Sequence, residues 1–275
     1  MSIQRPTYTF EGLPIGDVDS GTNVLVTGPA LGGIRELTLR MLLHSSEREG
    51  TLFVTADTDG RKTLTDYEGL GGRLDFARVG VVDCTEEGVD DEAHNVHAVG
   101  SPADLTGIGI EFSSLYERLH ANGAERVRTG VYTLSPFVVY APTKAVFRFV
   151  HTLTGRIRTA DGLGVCAIDP GTVDDQTLSS IAQAFDGQVE LREADRDCAV
   201  RVRGLSDQPE GCWREPEDVR TTTRPDSVDA PVSRPGPAVA RLDCRWNRRR
   251  GFRLHTRRLG TGPAVVVPHG PERDT

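Results

Sequence analysis

The residues with the clearest chemical potential lie between positions 24 and 35, VLVTGPALGGIR. An apolar run, Val24 to Thr27, ends at Gly28-Pro29, and Gly32 and Gly33 follow before the next apolar stretch. A strand, a glycine turn and a helix are the setting in which backbone N–H groups and a helix N-terminus cradle phosphate, G-x-x-x-x-G-K-[ST]. Gly28 and Gly33 have the right separation, but the next two positions are Ile34 and Arg35. The missing lysine removes a charged contact worth about 1.5–3 kcal/mol. Arg35 cannot simply replace it, because one residue along a helix is about 100° around its axis. Its plain reading is a solvent-facing residue paired with Glu36 or Glu47. For the glycines two readings stay open, a bare strand-to-helix turn and residual nucleotide binding.

The elements that would position this turn alternate along the chain. Strands are expected at about 23–27, 51–57, 76–85 and 163–169, with a further strand and its exit within 125–140, and helices at 33–47, 61–70, 101–123, 143–162 and 175–185. Ser101 looks like the N-cap of the third helix, with Pro102 in its first turn and Asp104 at a capping-box position. Leu105, Ile108, Phe112, Leu115 and Leu119 form its apolar stripe, and Val146, Phe149, Val150 and Leu153 that of the fourth. Residues 86–100 are acidic and aperiodic and read as an exposed loop. GQVELREADRDCAVRVRG, from 187, reads as a hairpin turning at 194–197. This order predicts an α/β fold whose mostly parallel sheet is flanked by helices and ends in an antiparallel hairpin.

Composition sets the surroundings. The 275 residues carry a net charge of −8, and only Lys62 and Lys144 are lysines. Acidic excess with scarce lysine fits a protein of a salty cytoplasm; a GC-rich genome, which favours Arg, is the plainer alternative. Cys84, Cys166, Cys198, Cys212 and Cys244 are dispersed without a C-x-x-C pair, as expected of reduced cytoplasmic thiols. No apolar run nears the ~18 residues that span a membrane. Residues 221–275 hold eleven Arg against five acids, a reversal of sign from the rest of the chain. The expected organisation is an extended lead-in (1–22), a core domain (23–205), and a Pro/Arg-rich linker with a disordered basic tail (206–275).

Four segments in order, GLPIGDVDSGTNVLVTGPALGGIRELTLRML, TLFVTADTDG, SPADLTGIGIEFSSLYERL and VYTLSPFVVY with VFRFVHTLTGRI, resemble the KaiC-like branch of the RecA-type ATPases, a haloarchaeal set above all. The resemblance covers roughly 11–205. It implies a RecA-like core, ATP with magnesium at the turn after the first strand, and a homo-oligomer or protein partner. The nucleotide-binding positions it assigns are Gly28, Pro29, Gly32, Gly33, Ile34, Arg35 and Tyr132. Three of them depart from the family: Ile34 replaces the lysine, Arg35 the magnesium-binding Ser or Thr, and Tyr132 the acid that ends the strand before the SLSP-like turn. Asp57 stands near the catalytic Glu position, with a shorter reach. Loss of one transition-state donor typically costs 10²–10³ in rate, and here several are gone together. The expectation is a non-catalytic regulatory or scaffolding protein with a degenerate nucleotide site; a non-standard ATPase is the alternative.

Other constellations read more plainly. His94 and His97, beside Asp90, Asp91 and Glu92, have ligand types but sit in a segment without the fixed geometry a metal needs. Ser135 reads as a turn residue. RWNRRRGFRLHTRR (245–258) mixes Arg with Trp246 and Phe252, as nucleic-acid contacts can, but salt weakens phosphate binding steeply. Protein rather than nucleic acid or membrane is the expected partner.

Overall fold

A computed structural model describes residues 6–30, 33–44, 46–193, 198–208, 242–247 and 251–256, the last two segments and positions 193 and 198 by backbone alone. Strands Asn23–Thr27 (β3), Glu49–Thr55 (β4), Val79–Asp83 (β5) and Leu163–Ile168 (β8) are buried along their whole length, and Arg126–Val131 (β7) after its first residue. Burial on both faces is why β3, β5 and β8 read as near-continuous apolar runs rather than alternating ones. With Val96–Ala98 (β6), Gly187–Glu193 (β9) and Cys198–Arg203 (β10) they form one eight-stranded sheet of order β10-β9-β3-β8-β7-β4-β5-β6. Every neighbouring pair is parallel except β9–β10. The fold is therefore α/β, a mostly parallel sheet flanked by helices with an antiparallel hairpin at one edge.

Side chains alternate between two cores, as the strand period requires. In β4, Phe53 faces helices Ile34–Met41 (α1) and Gly60–Gly69 (α2), while Leu52 and Val54 face the other layer. That layer is built by Leu105–Ala121 (α3), Ser135–Tyr140 (α4), Thr143–Thr159 (α5) and Asp175–Ala182 (α6). Ile108, Phe112, Leu115 and Leu119 of α3 are buried, as are Val146, Val150 and Leu153 of α5; Leu105 and Phe149 are partly so. The lead-in contributes as well. Its strands Thr7–Tyr8 (β1) and Val18–Asp19 (β2) pair antiparallel, and Tyr8, Phe10, Leu13, Ile15 and Val18 join the α1/α2 core.

Several boundaries move. Helix α1 stops at Met41 rather than 47. The third helix is capped by Asp104 itself, whose Oδ1 accepts from the Gly107 amide at 2.8 Å, and not by Ser101. The loop 86–100 contains β6, and a short helix, α4, follows β7; both are too short to carry a period. Asp59 caps α2 and Asp174 caps α6, each accepting from a first-turn amide.

In the tail, Leu242–Asn247 (β11) and Gly251–Thr256 (β12) pair antiparallel. The rest of 209–275, and the turn 194–197, lie outside the described residues, as does any test of nucleic-acid contact by that segment. None of the described helices is long and apolar enough to cross a membrane.

Candidate functional site

Strand order makes a crevice where chemistry can collect. From β4 the chain steps outward to β5, whereas from β7 it steps inward to β8, so the direction of winding reverses between the neighbours β4 and β7. In open α/β sheets such reversals, at the carboxyl ends of the strands, are where ligands bind. A cavity of about 310 Å³ lies there. Its lining includes Ala30 after β3, Ile34 and Arg35 of α1, Asp57 after β4, Tyr132 and Thr133 after β7, and Asp169 after β8. The exit of β7 is held in place by backbone bonds, Tyr132 N to Val54 O at 2.8 Å and Leu134 N to Ala167 O at 2.7 Å.

Three of the residues singled out from sequence meet here. Arg35 Nη2 is 3.4 Å from Asp57 Oδ1, and its guanidinium lies over the Tyr132 ring, 4.4 Å from the centroid. Burial pushes the Tyr132 phenol up to about 12, with the Arg35 charge working in the opposite direction. The expected partners of Arg35 are both engaged elsewhere: Glu36 with Arg40 at 2.8 Å and Glu47 with Arg73 at 3.2 Å. Arg35 turns inward because the flat Tyr132 face and the Asp57 carboxylate offer it a cation–π contact and an ion pair together.

Ile34 behaves as its chemistry demands. It is only 4% exposed and packs in the α1/α2 core. The glycines have structural causes. Gly33 adopts φ +87° at the N-cap of α1, a conformation costly for a residue with Cβ. A Cβ on Gly28 would come within 3.0 Å of both Cβ and O of Leu191 in β9, so this position needs glycine for strand packing alone. Pro29 leads into the turn, and Gly32 lies outside the described residues.

The residue that sequence reasoning missed is Asp169. Its Oδ2 accepts from the Ala30 amide at 3.0 Å, across 139 residues of chain, and its Oδ1 from the Gly171 amide at 2.8 Å. A carboxylate of the chain itself thus sits on a backbone amide of the glycine turn, where a bound anion would be sought. Ser135 Oγ accepts from the Asp169 amide at 3.2 Å and bonds Thr172 Oγ1 at 2.9 Å, tying the loops after β7 and β8 together. The signal was present as CAIDPG, an acid at the end of an apolar strand before a Pro-Gly turn. Nothing in the local spacing linked it to Ala30.

More than half of the chain, residues 21–191, matches the model of a family of unknown function, DUF7504. The chain belongs to that family. No curated protein matches it. The DUF7504 match starts just before β3 and ends within β9, so it contains every residue of the cavity.

The histidines of the acidic segment pair separately. His94 Nδ1 lies 2.7 Å from Asp91, which also takes Arg61, while His97 Nδ1 lies 2.7 Å from Glu111 of α3. Among the described residues no group of three or more His, Cys, Asp or Glu is placed to hold a metal. Cys84 and Cys166 are free and buried, and burial raises both thiols.

Proposed function

We propose that the chain is a RecA/KaiC-like domain whose nucleotide site is closed by its own side chains, and that it acts as a non-catalytic regulatory or scaffolding protein. The observation that carries this reading is the Asp169 carboxylate on the Ala30 amide. A phosphate brought to the same turn would meet that negative charge. At about 4 Å and an effective dielectric near 20, two like charges repel by roughly 4 kcal/mol without salt. Molar KCl, with a Debye length of about 3 Å, leaves only a fraction of that, so the loss of the Ala30 amide as a free donor weighs as much as the charge. The remaining charges do not offset it. Arg35 is shared with Asp57, so the cavity's ionised groups sum to one negative charge. Ile34, packed in the core, supplies nothing to an anion. Molar KCl is the medium that the salt-adapted reading of the composition implies.

Calorimetric titration of the full chain with ATP and magnesium in molar KCl tests the proposal. The native chain is expected to show no saturable heat, and Asp169→Ala to gain binding by freeing the amide. Micromolar binding by the native chain would overturn it.

One observation favours the second reading, an ATP-binding protein with a non-standard site. Among the described residues the buried Arg35 Nε makes no hydrogen bond, a donor that an incoming acceptor could use. Magnesium-dependent turnover that is lost in Asp57→Ala would establish that reading instead.

A further inference from the structure

We propose that the groove between α3 and α5 docks an acidic amphipathic helix from a partner protein. The groove lies on the opposite layer from α1 and α2, away from the β3 turn, and the proposal stands whether or not the strand-end cavity takes nucleotide. Both helices have 17 residues, about 25 Å of length at 1.5 Å per residue. Along them lie two cavities of about 700 and 820 Å³, which share Phe112, Ser113, Thr152 and Arg156 in their linings. Gly109 and Gly155 open the groove further, since a Cβ at either would meet nothing within 4 Å.

The lining has the two chemistries a helix-in-groove complex uses. Its apolar part is Phe112, Phe149 and Ile110, and Ile110 is 61% exposed although it is a large aliphatic residue. Its basic edge is α5, which carries Lys144, Arg148, Arg156 and Arg158 and no acid in a chain of net charge −8. Residues 144, 148, 152 and 156 follow one another at four-residue intervals and so share one face. Arg158 is held by Asp186 at 2.7 Å, and Arg156 donates to Gly109 O and Ser113 Oγ across the groove. Lys144 and Arg148 are exposed and have no acidic partner among the described residues. A helix with apolar residues toward Ile110 and Phe149 and acids toward Lys144 and Arg148 satisfies both parts. A nucleic-acid backbone does not: it has no apolar ridge, and it would face Asp104 and Glu117 on the α3 side of the lining.

The test places a photo-crosslinking amino acid at Ile110 of the full chain in cells of its own organism, with a control at Glu68 on α2. Adducts are read by mass spectrometry. The expected Ile110 adduct is a peptide of net negative charge with apolar residues spaced three and four apart. That peptide, synthesised, should bind the full chain more tightly as KCl is lowered from molar, and at the lower salt weaken at least tenfold with Arg148→Glu, or with Lys144→Glu if the first variant is poorly folded. Glu68→Lys should leave binding unchanged. An absent adduct, one shared with the control position, a second copy of this chain, a nucleic-acid adduct, or binding indifferent to both charge reversals would each overturn the proposal.

Discussion

The two ends of strand β4 carry the same chemistry with opposite outcomes. At its start, Glu49 receives Arg126 at 2.7 Å and Arg128 at 2.9 Å, and both guanidinium groups lie against the Tyr8 ring. Just beyond its other end, Asp57 faces Arg35, which lies over Tyr132. Each is a carboxylate, arginine and a tyrosine ring. The first is sealed: Arg128 is 1% exposed and also donates to Met41 O at 3.0 Å and Thr9 O at 3.3 Å. The second is half-open, its ion pair is long, and Arg35 Nε makes no hydrogen bond among the described residues. A buried pair is tolerable only when its remaining donors are satisfied, and the lead-in strand does this for Arg128. Among the described residues no backbone carbonyl does the same for Arg35. The sealed end holds the fold together, whereas the open end is held by a longer, partly exposed pair.

The largest expected effect breaks the sealed end. Glu49→Ala leaves Arg128 buried without its counter-charge, and should lower unfolding free energy by about 3–5 kcal/mol. Guanidinium or urea unfolding in fixed KCl measures it, and a loss below about 1 kcal/mol would erase the distinction between the two ends. Asp57→Ala removes the corresponding carboxylate from the open end. Because that pair is about one-third exposed, the same measurement should register no more than about 1 kcal/mol.

A separate effect concerns pH. The Tyr132 phenol is raised by burial from 10.0 to about 12. A phenol held neutral by the fold stabilises it fully below the unfolded value near 10. That contribution fades as pH climbs through about 12, because the unfolded chain ionises first. Tyr116 behaves alike. Ultraviolet difference titration of the native chain against Tyr132→Phe should therefore show the missing phenolate transition near pH 12, and one near pH 10 would place Tyr132 in solvent.

The cavity was only half legible from sequence. Gly28, Ile34, Arg35, Asp57 and Tyr132 attract notice because they stand at strand ends, where motif spacing can be checked. Asp169 does not, since its importance comes from the pairing of β3 with β8, a contact between segments far apart in the chain. The short elements α4 and β6 escaped for a related reason: three to six residues cannot display a helical or alternating period. The lead-in looked irregular because its prolines and glycines break local structure, yet five of its apolar residues are core.

The sequence by itself determined the alternation of strands and helices, the two-sided burial of the central strands and the loss of lysine at position 34. These follow from side-chain type and local period, which are written in consecutive residues. Only the tertiary structure decided that Arg35 turns to Asp57 and Tyr132, and that Asp169 reaches the Ala30 amide. It also decided that Glu49 is buried with two arginines and that α5 sets its bases beside Ile110. Those pairings depend on which strands become neighbours. The order of a sheet is fixed by packing both of its faces at once, which no single segment of the chain specifies.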